Sequence, residues 1–282
     1  MYQRDGGRDK PRYQGQRNDK REQERRTRED RAQGSEERIG NGAVIGRNAV
    51  RELLRSGRTI DKLLVQSGEH EGALKPLVGE AIARGIPVVN TERRKLDALS
   101  GGVPHQGVIA LAAEKEYVSV EDILAIAAER GEKPLVVIAD GIADPYNLGA
   151  VIRCAEGCGA HGLIIPKRHA TGLTPVVTKA SAGAIEHLAV AKVTNIATTI
   201  EQLKECGLWI FAAEAGGSNF REVDMNVPAA IVLGSEGAGV SDLVRKRSDF
   251  VISIPMYGRV NSFNVSTAAA VLLCEAAYQQ RK

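Results

Sequence analysis

Long hydrophobic runs and paired cysteines are missing from this 282-residue sequence. No apolar stretch approaches the roughly 20 residues that a membrane-spanning helix needs. The first residues contain no apolar segment of the kind that marks a secretory signal, so we expect a cytoplasmic protein. The cysteines form no CxxC pair, which favours reduced and mostly buried thiols over disulfides or a zinc site. They are Cys154, Cys158, Cys206 and Cys274.

Several catalytic motifs are missing too. The sequence contains no GKS or GKT of a phosphate-binding loop, no GxSxG and no HExxH, so we predict neither those hydrolases nor a metal site. Residues 157–162 match GxGxxG letter for letter. They end a predicted helix and lead into a strand, which is the reverse of a dinucleotide-binding turn, so we predict only a helix end there.

The positive charge is concentrated at the N-terminus. Residues 1–38 hold 12 Lys or Arg and 9 Asp or Glu, which accounts for the whole net charge of +3. This segment has almost no apolar residues, so we predict a disordered charged tail over residues 1–40. Such a tail can act as a solubiliser or make weak, salt-sensitive contacts with RNA.

From residue 43 onward, short apolar runs alternate with helical patterns. We predict a small α/β domain over residues 41–113, a polar connector with a helix over residues 114–133, and a larger α/β domain over residues 134–282. The apolar runs of the larger domain are typical of a mostly parallel sheet with both faces covered. These runs are LVVIAD, GLIIP, HLAVAKV, LWIFAAEA, AAIVLG and FVISIPM.

The first predicted helix carries an arginine stripe. At about 100° per residue, four arginines fall within an arc of about 80°, opposite the apolar side chains of the helix. They are Arg47, Arg51, Arg55 and Arg58, with no acidic residue in the stripe itself. A solvated surface explains the stripe, and so does a site for an RNA phosphate backbone. The stripe alone does not decide between them.

Polar residues crowd the ends of three apolar strands, where open α/β sheets bind ligands. The first strand ends at Asp140, and we expect Asn147 to cap a following helix that carries Arg153. In the second stretch, Gly234 permits close backbone approach and Glu236 lies at a strand-to-helix turn. The third stretch is IPMYGRVNSFNVSTAAAVLL, in which polar residues directly precede an apolar helix. Three such loops in one domain predict an assembled site.

The same three stretches resemble a known family. NLGAVIRCAEGCGA, VLGSEGAGVSDLV and ISIPMYGRVNSFNVSTAAAVLL, in this order, are similar to the three motifs of SpoU-type RNA ribose 2′-O-methyltransferases of the SPOUT superfamily. GRNAVREL and HQGVIAL resemble that family's L30e-like RNA-binding domain. The resemblance implies a Rossmann-like sheet whose deep C-terminal trefoil knot forms a pocket for S-adenosylmethionine. Phe263 stands where leucine is common in the family, and the charged tail departs from its compact pattern.

The resemblance also implies catalytic residues. Arg153 would lie nearest the ribose, as a phosphate clamp and stabiliser of the developing alkoxide, or as the base if an RNA phosphate assists. Asn147 would orient Arg153, and Glu236 would hold Arg153 or the backbone of the third loop. Ser262 and Asn264 would fix that loop and contact the substrate.

Further expectations concern the ligands and partners. The cofactor pocket would be lined, largely through the backbone, by Gly234, Ile254, Met256 and Phe263. The resemblance implies a homodimer that binds RNA and needs neither a metal nor a membrane.

Within the family, the arrangement is most similar to enzymes that methylate a guanosine of 23S rRNA in the peptidyl-transferase region. A tRNA guanosine 2′-O-methyltransferase is the alternative enzyme, and a catalytically silent RNA-binding ribosome assembly factor is the alternative without chemistry. The joint presence of Asn147, Arg153, Glu236 and Asn264 favours an enzyme, and the discrete small domain favours rRNA.

Overall fold

Two β-sheets organise the residues that the computed structural model describes, which are residue 40 and residues 42–68 and 72–282. Residues 1–39 of the predicted tail lie outside this part of the chain. Residues Gly40–Lys282 form one compact unit, so contacts between the two sheets and their helices belong to a single body. Among the helices described, none combines the length and the apolarity that crossing a membrane requires.

The smaller sheet has four strands in the order β1-β4-β2-β3. Strands β1 and β2 are antiparallel to β4, and β2 is parallel to β3. The strands are β1 (Ala43–Ile45), β2 (Ile60–Gln66), β3 (Val88–Thr91) and β4 (Val108–Ala112), and the helices are α1 (Arg47–Ser56), α2 (Lys75–Ala83) and α3 (Arg93–Ser100). Strand β1 was not predicted, because three residues are too short to show a period.

The larger sheet has six strands in the order β10-β8-β9-β5-β6-β7, and every pair of neighbours is parallel. This confirms the predicted parallel sheet. The strands are β5 (Leu135–Asp140), β6 (Gly162–Pro166), β7 (Ala189–Val193), β8 (Trp209–Asn219), β9 (Ala229–Gly234) and β10 (Phe250–Ser253). The chain builds outward from β5 to β7 and then returns to the other side of β5, so the strand order reverses between β5 and β9. Ligand sites of open α/β sheets lie at such a reversal.

Helices cover both faces of the larger sheet. Alternate side chains of β5 point to opposite sides: Val137 joins the core with α5 and α9, while Val136 and Ile138 join the core with α4 and α7. The helices are α4 (Val120–Arg130), α5 (Pro145–Gly157), α6 (Pro175–Ala180), α7 (Ile196–Glu205), α8 (Asp242–Arg247) and α9 (Val265–Arg281). The end of α5 at Gly157, followed by Gly159 with a φ of 74°, is the helix end and turn predicted for the GxGxxG stretch.

Strand β8 contains a bulge that the sequence pattern did not predict. Phe211 and Ala212 pair with β10, and pairing then resumes at Ser218 and Asn219 against the next two residues of β10. The five residues between them, 213–217, leave the ladder, and we call them the β8 bulge. Gly216 in this bulge has a φ of 83°, a left-handed conformation that glycine adopts without strain. The bulge separates β8 from β10 near the carboxyl-terminal ends of the two strands.

Candidate active site

The three predicted polar loops meet through their side chains. Asn147 donates from Nδ2 to Glu236 Oε1 at 2.8 Å. Asn264 donates from Nδ2 to the same carboxylate oxygen at 2.7 Å and to Asn147 Oδ1 at 3.0 Å. We call these three residues the amide–carboxylate cluster. A carboxylate that accepts two amide donors is held firmly, so the cluster ties together loops that follow β5, β9 and β10.

Asn264 has a second task in the same place. It is the N-cap of α9, and its Oδ1 accepts bonds from the backbone N of Ser266 at 2.9 Å and from the Ser266 hydroxyl at 2.6 Å. Asparagine is among the best N-cap residues because its side-chain oxygen pairs with an otherwise unbonded N–H. Both ends of the Asn264 amide are therefore used, one for the helix and one for the cluster.

Two predictions about Asn147 are wrong. Asp144, not Asn147, is the N-cap of α5, since Asp144 Oδ2 accepts the backbone N–H of Asn147 at 3.0 Å, and Pro145 occupies the first helical position. Asn147 also does not orient Arg153. Residues six apart on a helix point about 120° away from each other, so the buried Asn147 and the exposed Arg153 face different surroundings.

Arg153 stands apart from the cluster. Among the described residues, its guanidinium forms no ion pair or hydrogen bond, and Glu236 bonds to Asn147 and Asn264 instead. Within one chain, Glu236 contacts the third loop through the side chain of Asn264 and does not reach its backbone or Arg153. The predicted contact between Glu236 and Arg153 stays a prediction. The exposed Arg153 is left available to another molecule.

A cleft of about 630 Å³ lies beside the cluster. It is bounded by the ends of β8, β9 and β10 and by the first turns of α9. Six of the predicted site residues line it together with Asn264: Gly234, Glu236, Ile254, Met256, Ser262 and Phe263. The structure thus brings the predicted cofactor residues and the third polar loop to one cavity.

Gly234 is at a position where no other residue fits. A Cβ on Gly234 would come within 2.1 Å of the carbonyl carbon of Gly239. This close approach arises because the loop after β9 folds back on itself, with Ser235 and Gly239 exchanging two backbone hydrogen bonds of 3.0 Å. Glycine at 234 therefore lets the loop close tightly over the end of the sheet.

The charge of the cleft is negative. Two carboxylates, Glu214 and Glu236, line it, and none of the residues that we find lining it is Lys, Arg or His. Low-dielectric walls focus such a field. The cleft therefore favours a cationic or neutral ligand over one rich in phosphate.

Glu214 was missed by the sequence analysis. It lies in the β8 bulge and lines the cleft with its neighbours Ala213 and Ala215. The available signal was the pair Gly216 and Gly217 at the end of an apolar strand, since glycines inside a strand often mark a bulge.

The arginine stripe is only partly present. Helix α1 ends at Ser56, and Gly57 has a φ of 76°, so the direction of the chain changes before Arg58. Arg58 forms an ion pair of 3.2 Å with Glu186, whose side chain is 1% exposed. Arg55 pairs with Glu52 at 3.0 Å. The predicted stripe therefore does not extend along the helix to Arg58, and both Arg55 and Arg58 are paired with acidic residues from outside the stripe.

The N-terminal end of α1 keeps its basic character. Arg51 bonds to the neutral Asn48. Arg47 donates from Nε to the backbone oxygen of Gln106 at 2.9 Å, and Lys179 of α6 donates to Gln106 Oε1 at 2.8 Å. Burial, and the nearby Arg47 after it, lower the pKa of Lys179. Two cations thus lie side by side where the two sheets meet.

Comparisons with known proteins agree with this geometry. Residues 134–274 match the model of the SpoU rRNA methylase family, and residues 43–118 match that of the RNA 2′-O ribose methyltransferase substrate-binding domain. A Bacillus subtilis (strain 168) protein that carries the name TrmH family tRNA/rRNA methyltransferase YacO is 45% identical over 239 residues, or 84% of this chain and 95% of the relative. The chain belongs to the SpoU/TrmH family of RNA methyltransferases.

Other members of the SpoU/TrmH family are also similar. A Staphylococcus saprophyticus protein with the same family name is 44% identical over 82% of this chain and 93% of its own length. Among solved structures, the SpoU methyltransferase AviRb from Streptomyces viridochromogenes, in complex with the cofactor AdoMet, shares the fold with a TM-score of 0.71 and 24% identity, over 85% of this chain and 90% of AviRb. An RNA 2′-O ribose methyltransferase matches with a TM-score of 0.70 and 25% identity over 85% and 89% of the two chains.

Proposed function

We propose that this protein uses S-adenosylmethionine to methylate a ribose 2′-hydroxyl in structured RNA, and that its target is a guanosine of 23S rRNA in the peptidyl-transferase region. The main support is the amide–carboxylate cluster, which joins the three family motifs beside one cleft. We place the reaction in the cytoplasm. The trefoil knot expected from the family resemblance stays a prediction, as does the division into an RNA-binding domain over residues 41–113 and a catalytic domain over residues 134–282.

The cleft fits the proposed cofactor. Its volume of about 630 Å³ is in the range of small-molecule sites, and its two glutamates and absence of basic lining residues suit a sulfonium that also carries an ammonium group. When bound, S-adenosylmethionine would supply a methyl group to an attacking oxygen, with S-adenosylhomocysteine leaving as a neutral thioether. We propose that Gly234, Ile254, Met256 and Phe263 hold the cofactor, mainly through the backbone.

The catalytic task of the protein is alignment and charge control. A ribose hydroxyl is a weak acid and a poor nucleophile, so it must be held in line and relieved of a proton. The cluster fixes the position of the third loop, which carries Ser262 beside the cleft. We propose that Arg153 binds an RNA phosphate and stabilises the developing alkoxide, because a guanidinium rarely gives up its proton.

The position of Arg153 favours a dimer. It is exposed on α5, and within the described part of its own chain it forms no hydrogen bond or ion pair with the cluster. We propose that Arg153 of one subunit serves the cleft of its partner in a homodimer. This arrangement places an unpaired cation close to an RNA strand that spans both subunits.

RNA binding is assigned to the smaller sheet and the adjacent edge of the larger one. Arg47 and Arg51 are the members of the arginine stripe that have no acidic partner among the described residues, and Lys179 extends them. We propose that these three cations contact phosphates. Arg55 and Arg58 make weaker contributions, because Glu52 and Glu186 already neutralise them.

Mapping of 2′-O-methyl riboses in total RNA, with and without the gene, tests the function. We expect the loss of one methylated guanosine in 23S rRNA, restored by the wild-type chain and not by Arg153→Ala. Loss of a tRNA methylation instead would establish the alternative tRNA enzyme. An unchanged methylation map, together with no binding of S-adenosylmethionine, would establish an RNA-binding assembly factor.

A further inference from the structure

We infer that Glu214 binds the ribose hydroxyls of the nucleoside ligand in the cleft and is a specificity-determining residue of this site. The inference rests on the proposed function, because it takes a nucleoside as the ligand. It comes from the β8 bulge, from the surroundings of the Glu214 carboxylate and from the chemistry of the lining.

The β8 bulge brings Glu214 to the cleft. Strand β8 pairs with β9 up to Ala213 and Leu233, so Glu214 is the first residue beyond that ladder, next to Gly234. On the other side, residues 213–217 have left the pairing with β10. Bulges commonly redirect a side chain at a functional site, and Glu214 in this bulge lines the cleft.

The far end of the bulge is fixed in place. Ser253 donates from its hydroxyl to the backbone oxygen of Gly217 at 2.7 Å. A Cβ on Gly217 would lie 2.6 Å from the backbone oxygen of Val251, so this residue too must be glycine for the strands to approach. The bulge is therefore anchored at Gly217, three residues after Glu214.

The Glu214 carboxylate is incompletely bonded. Its Oε2 is buried and has no hydrogen-bond partner among the described residues. The nearest cation to that atom is the Arg245 Nε, at 3.7 Å, which is too far for a hydrogen bond. Arg245 donates instead to Asp242 at 3.1 Å. A buried acceptor without a donor is costly, and a ligand with hydroxyl donors would remove that cost.

The ribose is better suited than the other parts of the ligand to donate hydrogen bonds to the Glu214 carboxylate. Its two adjacent hydroxyls can donate to one carboxylate once the Glu214 side chain rotates so that Oε2 leaves its buried position near Arg245. Acidic residues at strand ends accept ribose hydroxyls in this way in other α/β nucleotide sites. The adenine offers no pair of adjacent hydroxyl donors. The second carboxylate of the cleft, Glu236, already accepts two amide bonds in the cluster, which leaves Glu214 as the acceptor for the ligand.

Calorimetry with three ligands tests this inference on the full chain. The ligands are S-adenosylhomocysteine, 5′-methylthioadenosine, which lacks the amino-acid end, and a methylthioadenosine analogue that lacks both ribose hydroxyls. We expect Glu214→Gln to weaken binding of the first two by about 10- to 100-fold and to leave the affinity for the third unchanged. Glu205→Gln, an exposed carboxylate on α7, is the matched control and should change none of them.

Each other outcome overturns the inference in a recognisable way. Weaker binding of S-adenosylhomocysteine alone would place Glu214 at the ammonium of the amino-acid end. Unchanged binding of all three would reduce Glu214 to a partner of Arg245. If the wild-type chain binds none of the ligands, the proposed function fails as well. If thermal unfolding shows that Glu214→Gln does not fold, Glu214→Asp replaces it. We then expect a smaller loss of affinity, and only for the two ligands that carry ribose hydroxyls.

Discussion

Substitutions of Arg153 should separate the effect on methyl transfer from the effect on cofactor binding. Arg153→Ala should abolish methyl transfer and leave cofactor affinity nearly unchanged, because the cleft is lined by residues of other elements. Arg153→Lys keeps the charge but loses the planar fork, so it should retain only a small part of the rate if a bidentate phosphate contact is needed. Single-turnover methylation and calorimetry measure the two quantities.

The same variant tests the dimer. A mixture of Arg153→Ala and Asn264→Ala chains should recover methyl transfer, since a mixed dimer contains one cleft with both residues intact. A mixture as inactive as its components would show that Arg153 serves its own chain. Near-normal single-turnover rates for Arg153→Ala would make it a structural helix residue.

Asn264 is predicted to need its amide nitrogen as well as its capping oxygen. Asn264→Asp keeps a good helix cap but replaces the donor by a second carboxylate beside Glu236. Like charges at this distance repel, so we expect a lower melting temperature at pH 7 that recovers at acidic pH, where one carboxylate is protonated. Thermal unfolding across pH measures this.

A matched control for Asn264→Asp exists in the same chain. Asn195 caps α7 by accepting the backbone N–H of Thr198 at 3.2 Å, and it has no place in the cluster. Asn195→Asp should leave the melting temperature nearly unchanged at pH 7. Equal behaviour of the two variants would show that the amide bonds to Glu236 contribute nothing to stability.

At the scale of elements, the sequence predicted the strands of the larger sheet but not the bulge within β8. Runs such as LVVIAD and AAIVLG are apolar because both faces are buried, which is a local property of the chain. The β8 bulge depends on pairing with β10, some 40 residues later in the sequence (Val251 against Ala212), and a local period cannot show it. The meeting of Asn147, Glu236 and Asn264 was predictable because parallel strands end at one edge, but their pairing was not.

The N-terminal part of α1 is predicted to bind RNA through charge. Reversal of Arg47 and Arg51 to Glu should weaken RNA affinity and reduce its dependence on salt, because each lost phosphate contact retains its counterions. Cofactor affinity should not change. Arg130→Glu, an exposed arginine at the end of α4, is the control. Affinity and salt slope equal to those of the wild type would make this end of α1 a solvated surface.

The packing of α9 against α5 can be followed through cysteines. Cys158 Sγ lies 3.3 Å from Cys274 Sγ, and burial, with the Cys274 contact, raises the pKa of Cys158 to about 12. Because the thiolate is the reactive form, Cys158 should resist alkylation at pH 8, while the exposed Cys206 reacts first. Mass spectrometry of iodoacetamide-treated protein measures the order. Early modification of Cys158 would show that α9 separates readily from α5.

The expectation of mostly buried thiols is wrong for Cys206 and Cys274, which are exposed.

At the scale of the whole molecule, one buried ion pair links the two sheets. Arg58 follows α1 of the smaller sheet, and Glu186 lies in the 3₁₀ turn Ala184–Glu186 that precedes β7 of the larger one. Burial raises the pKa of Glu186, and Arg58 and Lys115 act against that rise. Burial also lowers the pKa of Lys115, which Glu186 opposes. Arg58 lowers the pKa of Lys115 as well. Both cations therefore favour the charge of Glu186, while they repel each other.

This arrangement predicts an asymmetry between single and double substitutions. Glu186→Gln leaves Arg58, whose side chain is 18% exposed, without its ion-pair partner, and should lower the free energy of unfolding by about 3 kcal/mol. Arg58→Met combined with Glu186→Leu removes the ion pair and fills the space with apolar groups. Lys115 then loses the attraction of Glu186 but also the repulsion of Arg58, so the double variant should lose less than the single one. Glu80→Gln, which breaks an exposed pair with Arg84, should cost about 0.5 kcal/mol or less. Urea unfolding measures all three, and a double variant that is less stable than Glu186→Gln would show that the pair itself holds the two sheets together.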